Sequence, residues 1–503
     1  MGPPRSIRPA IAGSRDATSS VAARRLTRGM AATVTGTVGA IVREALVFGD
    51  RWLEAELPAD ARFVSPGLSL PLAPAPDLEA AVREAVTAPL EGAPLQARAR
   101  GARRVTVAFD DPTVPCYAPL WEVALPVVLD ELDRAGVPPE GVTLLCANAL
   151  HRRFTNDELA RILGPDIVRR FAADGRLSCH DAEDPNGLEG LGTTSLGEPV
   201  DVSRHVVDAD LTVYVNASTT RGFSGGWKSV CVGLSSYRSI RTHHTPDTMS
   251  MSTEKNRMHD SLDRMGSVVD SRLGPDRIFK LETILANPLQ VHRVLGGSVQ
   301  ATREEVLRVT RAHQPPRREL LPERVDMVLY GVPDWSPYAA FSYTNPILTL
   351  ISTGLGYLGG MIEALGAPGC TAILATPCPD RWDRDHHPSY REVWDRVLPE
   401  TRDPFEARNR FEAAFAEREY YIESYRNAYG FHPAHGIMAL YPLKRLRHAG
   451  RVIVAGAEDP AVVNHVGFEP AATVEEALEM AAETHGTNPS VAVVRYPQAV
   501  NRG

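Results

Sequence analysis

The stretch 104–147 decides the fold class. It reads RVTVAF over 104–109, a helical pattern over 119–135, and VTLLCA over 142–147. Both short runs are rich in β-branched and apolar residues, which is typical of buried strands. Buried strands that alternate with helices predict an α/β domain with a largely parallel sheet.

The same alternation continues along the chain. Further strands are predicted at 211–215 (LTVYV), 326–330 (DMVLY), 371–375 (TAILA), 451–455 (RVIVA) and 491–495 (VAVVR). Helical patterns cover 155–172, 302–313, 405–426 and 474–484, and Thr155 with Glu158 forms a capping box at the start of the first of these. We therefore expect α/β domains with parallel sheets flanked by helices.

A chain of 503 residues is too long for one ordinary core and suggests more than one domain. The Pro- and charge-rich stretch 313–324 predicts a linker between a first domain over 37–312 and a second over 325–503. Residues 1–36 hold six Arg against one acid. They predict a disordered tail or a start site placed too early, with Met30 as the true start; an Arg-rich targeting peptide is a third reading.

Composition excludes several classes of function. A net charge of -8 argues against a general nucleic-acid binder, and no apolar stretch is long enough to cross a bilayer. The six cysteines are scattered without a CxxC pair, so neither a disulfide framework nor a structural zinc site is expected. A reducing cytoplasm fits this cysteine usage.

Lysine is scarce, with four Lys among the 54 basic residues, so each deserves inspection. Lys228 ends a glycine-rich stretch, GFSGGWK over 222–228, that follows the strand 211–215. Such glycines let a backbone turn tightly around an anion. The stretch departs from a phosphate-binding Walker loop because Trp227 stands where the last Gly is needed. The alternative is a tight turn with an incidental Lys, which the scarcity of lysine disfavours.

The other candidate functional motifs also have structural explanations. Gly354–Gly359 matches GxGxxG but reads better as small residues in a packed helix than as a dinucleotide turn. His151 and the Asp110–Thr113 segment each follow a predicted strand, where α/β proteins bind ligands, yet a capping His and an Asx turn are the alternatives. The pairs His243-His244 and His386-His387 read as surface loops when taken alone.

Taken in order, four motifs resemble the nickel-pincer lactate racemase family. They are FDDPTVP at 109–115, ANALHRRFTNDEL at 147–159, CHDAEDP at 179–185 and RGFSGGWKSVCVGLSSYRSIRTHH at 221–244. The resemblance implies two α/β domains with the active site in the cleft between them. It also implies a nickel-pincer nucleotide, a pyridinium-3-thioamide-5-thiocarboxylic acid mononucleotide whose sulfur and carbon donors hold Ni.

The resemblance assigns roles residue by residue. Lys228 would carry the cofactor through a thioamide, and His244 rather than His243 would be the nickel ligand. His151 would be the catalytic base that removes the hydroxyl proton of a 2-hydroxy acid, while the α-hydrogen passes reversibly to the cofactor as hydride. The remaining residues expected to contact the cofactor are Asp111 (near the ribose), Thr113, Gly222, Ser224, Gly225 and Gly226.

Three departures from the family pattern alter the expected substrate. Ser218 stands where the family has a second catalytic His, and Val114 replaces an Arg. The segment 331–347 (GVPDWSPYAAFSYTNPI) lacks the usual Gln and Lys. The candidate substrate contacts are Arg221, Trp227, Arg238, Trp335 and Tyr338, with Arg221 the simplest new anion anchor.

These observations predict a cytoplasmic isomerase that racemises or epimerises a 2-hydroxy acid bulkier than lactate. Its partners would be the small-molecule substrate and the cofactor-synthesis enzymes. Two alternatives stay open. One is an oxidoreductase that uses the same cofactor with a single base, and the other is a non-catalytic homologue that holds the cofactor.

Overall fold

A computed structural model describes residues 40–66, 72–218, 225–249, 256–313, 317–486 and 488–499. The expectations for residues 1–36 and for Arg221, Gly222 and Ser224 lie outside these ranges. Within them the chain builds two six-stranded sheets and two separate hairpins.

The first sheet has the strand order β11-β10-β9-β4-β5-β6. Its strands in chain order are β4 (Val105–Asp110), β5 (Val142–Ala147), β6 (Leu177–Cys179), β9 (Leu211–Ser218), β10 (Ile278–Asn287) and β11 (Gln290–Gly297). All neighbours run parallel except β10 and β11, which form an antiparallel hairpin at the edge.

The second sheet is parallel throughout and has the order β15-β14-β13-β12-β16-β3. Its strands are β3 (Arg62–Val64), β12 (Val325–Gly331), β13 (Gly366–Ala375), β14 (Arg451–Ala455), β15 (Glu469–Ala471) and β16 (Val491–Val494). The two hairpins pair β1 (Ile41–Phe48) with β2 (Arg51–Pro58) and β7 (Leu188–Thr193) with β8 (Pro199–Ser203).

Helices surround both sheets. The helices before β12 are Leu78–Thr87, Leu95–Ala99, Leu120–Arg134, Pro139–Gly141, Asn156–Leu163, Pro165–Ala172, Arg204–Val207, Lys228–Cys231, Tyr237–His243, Arg257–Leu273, Val299–His313 and Arg317–Glu319. Those after it are Pro337–Ala339, Ile347–Leu358, Gly360–Leu365, Tyr390–Glu392, Val393–Val397, Pro404–Ala407, Arg408–Glu412, Ala413–Ala416, Glu419–Asn427, Ala434–Met438, Tyr441–Arg447, Pro460–Val466 and Val474–His485.

The predicted α/β class with largely parallel sheets is confirmed, and each strand predicted from the sequence is present. The predicted helix 155–172 is wrong in its continuity. Its capping box forms as expected, but Gly164 at φ 83° ends one helix and Pro165 begins the next. The GxGxxG segment is helical up to Leu358 and continues into Gly360–Leu365, so it forms no dinucleotide turn.

The two sheets do not correspond to an N-terminal half and a C-terminal half of the chain. The first domain predicted from the sequence covers 37–312, yet β3 within that range pairs with β16 of the second sheet. The hairpin β1–β2 also lies against this sheet, since Leu46 and Leu57 share an apolar core with Leu329. The first sheet is thus built from β4 onward.

Both sheets are buried on their two faces by the surrounding helices. The residues of β4, β9 and β12 are almost all buried. All six cysteines lie in the described ranges and are free thiols. Within the same ranges, no helix combines the length and apolar character needed to cross a bilayer.

Buried neutral histidines give the fold a predictable response to acid. Burial lowers the pKa of His180, whose Nε2 donates to Ser235 O at 3.0 Å, to about 4, and it lowers the pKa of His387 to about 4 as well. A folded pKa below the unfolded value of about 6.5 gives stability that is complete above pH 6.5 and lost as the pH falls toward 4.

We therefore expect the melting temperature to fall between pH 6.5 and pH 4, with each histidine contributing on the order of 3 kcal/mol. Thermal melts across this range test the expectation. His180→Gln keeps an N–H donor for Ser235 but does not titrate, so its pH dependence should be shallower. An equal slope in this variant would contradict the assignment.

Candidate active site

Side chains that follow strands of both sheets line one cavity of about 480 Å³. The first sheet contributes His151 after β5 and Lys228 and His244 after β9, whereas the second contributes Tyr338 after β12. Ligands of open α/β sheets bind at the carboxyl ends of the strands. Four residues selected from the sequence therefore share one cavity at such an edge.

His151 forms a tight pair with a buried carboxylate. Its Nδ1 lies 2.7 Å from Asp111 Oδ2, and Thr113 donates to the other Asp111 oxygen from its hydroxyl at 2.5 Å and its backbone N–H at 3.0 Å. Because an ionised carboxylate only accepts, Nδ1 carries the proton and donates, which leaves Nε2 as the acceptor. One Asp111 oxygen thus orients His151, and the other accepts both hydrogen bonds from Thr113.

The loop that carries His151 is held from the second sheet's side of the molecule. The Tyr425 hydroxyl donates to Ala149 O at 2.9 Å, and the His432 backbone N–H donates to Leu150 O at 3.0 Å. Ala149 has φ 47°, a left-handed conformation that is unfavourable for a residue with a Cβ. These bonds stabilise the strained backbone next to the imidazole.

Lys228 begins a short helix after Trp227 and two glycines in left-handed conformations, Gly225 at φ 50° and Gly226 at φ 60°. A Cβ at Gly225 would overlap the Glu282 carboxylate, so only glycine fits there. Burial lowers the pKa of Lys228 to about 8, although Asp110 opposes this. A substantial fraction of the amine is therefore neutral near pH 8, which is the form that acts as a nucleophile.

A buried polar network lies beneath the Lys228 loop. Asp110 accepts from the Tyr214 hydroxyl, Asn216 Nδ2 and the Ala217 backbone N–H at 2.7–3.0 Å, and burial raises its pKa to about 6. Lys280 Nζ lies 3.2 Å from Glu282 Oε2, with both side chains fully buried. The network supports the loop from the sheet side.

Ser218 belongs to this network. Its hydroxyl donates to the Glu282 carboxylate. The position where the family has a second catalytic His therefore holds a buried structural hydroxyl. Lys280 and Glu282 were not predicted from the sequence to have a role, although the scarcity of lysine was a signal for Lys280.

The two adjacent histidines differ in their access to the cavity. Their Nδ1 atoms lie 3.0 Å apart, so one donates to the other. His244 lines the cavity, whereas His243 is fully buried and its Nε2 has no hydrogen-bond partner among the described residues. Burial lowers the pKa of His243 to about 4 and that of His244 well below its usual value, so both rings are neutral at pH 7.

Aromatic rings from the second sheet's side surround His151. The ring centroids of Tyr338, Phe431 and His435 lie 5.3–5.6 Å from that of His151. His435 Nδ1 lies 2.7 Å from the Tyr390 hydroxyl, and its ring lines the cavity. Sequence reasoning missed Phe431 and His435, since HPAHG at 432–436 matches no motif and its two histidines were the only signal.

Three predicted substrate contacts do not line this cavity. The indole of Trp227 packs on Gly266, where a Cβ would overlap the ring. Trp335 is buried and its Nε1 donates to the Tyr117 hydroxyl at 3.2 Å, and Arg238 forms an ion pair with Asp201. Among the described members of the predicted set, Tyr338 lines the cavity.

The described residues hold no cluster of three or more His, Cys, Asp or Glu side chains placed to bind a metal. A pocket of about 70 Å³ lies beside the main cavity, and Asp111, Thr113, Gly225 and Lys228 line it together.

Comparisons with known proteins agree with these motifs. Residues 48–257 match the family model of the lactate racemase N-terminal domain. The chain is 28% identical over 166 residues to a lactate racemase of Thermoanaerobacterium thermosaccharolyticum, which covers 32% of this chain and 37% of that protein. It is 26% identical over 186 residues to a lactate racemase of Lactiplantibacillus plantarum, which covers 36% of this chain and 42% of that protein.

The fold comparison extends further than the sequence alignments, which span less than half of either relative. The structure of the lactate racemase apoprotein from T. thermosaccharolyticum superposes with a TM-score of 0.64 at 19% identity, covering 90% of this chain and 98% of that one. The likeness in fold thus extends to both sheets. The chain therefore contains a region that matches the lactate racemase N-terminal domain, within a fold similar to that of a solved lactate racemase apoprotein.

Proposed function

We propose that this chain is a nickel-pincer-dependent racemase or epimerase of a 2-hydroxy acid bulkier than lactate. The observation that carries the proposal is one cavity shared by an oriented imidazole, a lysine amine of lowered pKa and a neutral histidine. These three are His151, Lys228 and His244.

The residues fit the implied cofactor. The Lys228 side chain is half-buried at the cavity wall, and its lowered pKa of about 8 makes the neutral amine accessible, as a thioamide link requires. His244 offers a neutral imidazole, a suitable fourth donor for nickel. When bound, the cofactor would supply a reversible acceptor for the α-hydrogen. Loading would need the cofactor-synthesis enzymes, and the scattered free thiols favour a cytoplasmic location.

The chain's own residues would handle the proton of the substrate hydroxyl. His151 Nε2 accepts it while Asp111 stabilises the imidazolium that forms. His435 presents a second neutral imidazole to the same cavity, and burial keeps its pKa well below the usual value. Buried aromatic rings beside His151 exclude water from this side of the site.

A panel of 2-hydroxy acids tests the proposal on protein made together with the cofactor-synthesis enzymes. Racemisation or epimerisation at one stereocentre supports it. Net accumulation of a carbonyl product would instead identify a single-base oxidoreductase. Tightly held cofactor without turnover would identify a carrier.

Within the panel, we expect lactate to be a poor substrate. Val114 is buried where the family has a cation, and a lost charge-assisted hydrogen bond costs roughly 10- to 150-fold in affinity. Larger acids can recover this by packing on Tyr338 and Tyr357, which line the cavity. The comparison is kcat/KM for lactate against phenyllactate and longer aliphatic acids. If lactate is the best substrate, the argument from Val114 is wrong.

We expect His244→Gln to lose nickel and His243→Gln to keep it. His244 lines the cavity, whereas His243 does not and is joined to His244 through their Nδ1 atoms. Loss of such a supporting contact weakens metal affinity by about 10- to 100-fold, which excess nickel can overcome. Nickel per chain, measured by elemental analysis after dialysis, distinguishes them. The opposite pattern would assign the ligand to His243.

A further inference from the structure

One part of the cavity, the arginine end, is lined by two guanidinium groups that are not among the contacts of His151. Arg317 and Arg445 line it together with Gly360. A Cβ on Gly360 would overlap Arg317 Nη1 and would lie 3.8 Å from Arg445 Nη2, so both guanidinium groups converge above this glycine. Two cations brought this close repel each other unless an anion lies between them.

The protein itself supplies only part of the neutralising charge. Arg445 forms an ion pair with Glu363 and donates to Leu355 O. Among the described residues, no carboxylate forms an ion pair or hydrogen bond with Arg317. Its guanidinium is half-buried and stays protonated at neutral pH. The Glu363 carboxylate, which is already paired with Arg445, acts on it from a distance, so both guanidinium groups share this carboxylate.

The nearby Lys444 does not add to this end. Its Nζ donates to Pro246 O at 2.8 Å and to Met249 O at 3.2 Å, so its ammonium is committed to backbone carbonyls. The planar guanidinium of Arg317 has donors suited to two oxygens of one carboxylate or phosphate. The N–H donors of Arg317 at this end are therefore suited to binding an oxyanion.

We propose that Arg317, supported by Arg445, binds a second anionic group at the far end of the substrate. The substrate class is a 2-hydroxy acid that carries a distal carboxylate or phosphate. The inference rests on the proposed function, since it places the reacting end of the same molecule at His151. It also explains how a site that lacks the cation at position 114 still selects an acid.

The anion at Arg317 has one other possible source, which is the phosphate of the mononucleotide cofactor. Isothermal titration of the apoprotein with succinate and with inorganic phosphate tests the site itself, because neither probe reacts. We expect Arg317→Gln to weaken binding by about 10-fold or more and Arg317→Lys to weaken it less. Arg396→Gln, which removes an exposed cation paired with Glu392, should bind as the wild type does.

The loaded enzyme then separates the two sources. If the substrate supplies the anion, Arg317→Gln raises KM for a 2-hydroxy dicarboxylic acid but not for its monocarboxylic analogue, and the cofactor adduct in the intact mass is unchanged. Loss of the adduct would assign the subsite to the cofactor and overturn the proposal, as would equal binding of both probes by wild type and Arg317→Gln. Thermal melting confirms that each variant is folded.

The titration is independent of turnover. If no 2-hydroxy acid reacts but Arg317→Gln still loses succinate binding, the proposed function fails while the anion subsite stands. If 2-hydroxy acids react and a distal anion confers no advantage in kcat/KM, the subsite assignment fails while the proposed function stands.

Discussion

Replacing Lys228 by alanine is expected to abolish the covalent cofactor adduct completely. The amine lines the cavity, and burial lowers its pKa to about 8, so it is the described lysine best placed to form the link. Intact-mass measurement of protein made with the cofactor-synthesis enzymes should show the added mass in the wild type only. Proteolysis should locate that mass on the peptide that contains Lys228.

Two variants control this result. Lys228→Arg keeps a cation at the loop but cannot form the link, so it should also lack the adduct. Lys444→Arg changes another lysine at the cavity wall whose Nζ is held by backbone carbonyls, and it should keep the adduct. An adduct that persists in Lys228→Ala would refute the assignment.

Removing the imidazole in His151→Asn is expected to lower kcat by about 10²- to 10⁴-fold, the usual contribution of a general base. Asp111→Asn should approach this loss although it leaves His151 in place. An amide N–H facing Nδ1 favours the tautomer that is protonated at Nε2, which cannot accept a proton. In both variants kcat should fall far more than KM rises, and the cofactor adduct should stay intact.

The chain offers a matched control for the Asp–His pair. His386 Nδ1 lies 2.8 Å from Asp383 Oδ2, and its side chain is about as exposed as that of His151, 21% against 19%. It lies outside the cavity, so His386→Asn should retain full kcat. Equal losses in His151→Asn and His386→Asn would show that the effect is structural rather than catalytic.

The part of the site that lies near one sheet could be predicted from the sequence. His151 and Lys228 lie in motifs that follow predicted strands, and parallel strands bring such motifs to one edge. The pairing of Asp111 with His151 could not be predicted, because the 40 residues between them fix no distance. It depends on the neighbouring positions of β4 and β5 in the sheet.

The cavity wall formed by residues near the second sheet could not be predicted from the sequence, for a different reason. His435 follows His151 by nearly 300 residues, and only the packing of the segment around Tyr425 against Ala149 brings it to the cavity. Arg317 lies in a stretch that the sequence marked as a linker. Aromatic residue type alone was also insufficient, since the rings of Trp227 and Trp335 are used in packing.

The pairing of β3 with β16 determines the order in which the two sheets can fold during translation. The first sheet uses a continuous part of the chain, from β4 to β11, and can form before the later residues leave the ribosome. The second sheet cannot be completed until Val491–Val494 has been synthesised, because only then does Arg62–Val64 find its neighbour. Until then the backbone N–H and C=O groups of Arg62–Val64 are unpaired. We therefore expect the second sheet to fold later than the first and to be more prone to aggregation while it folds.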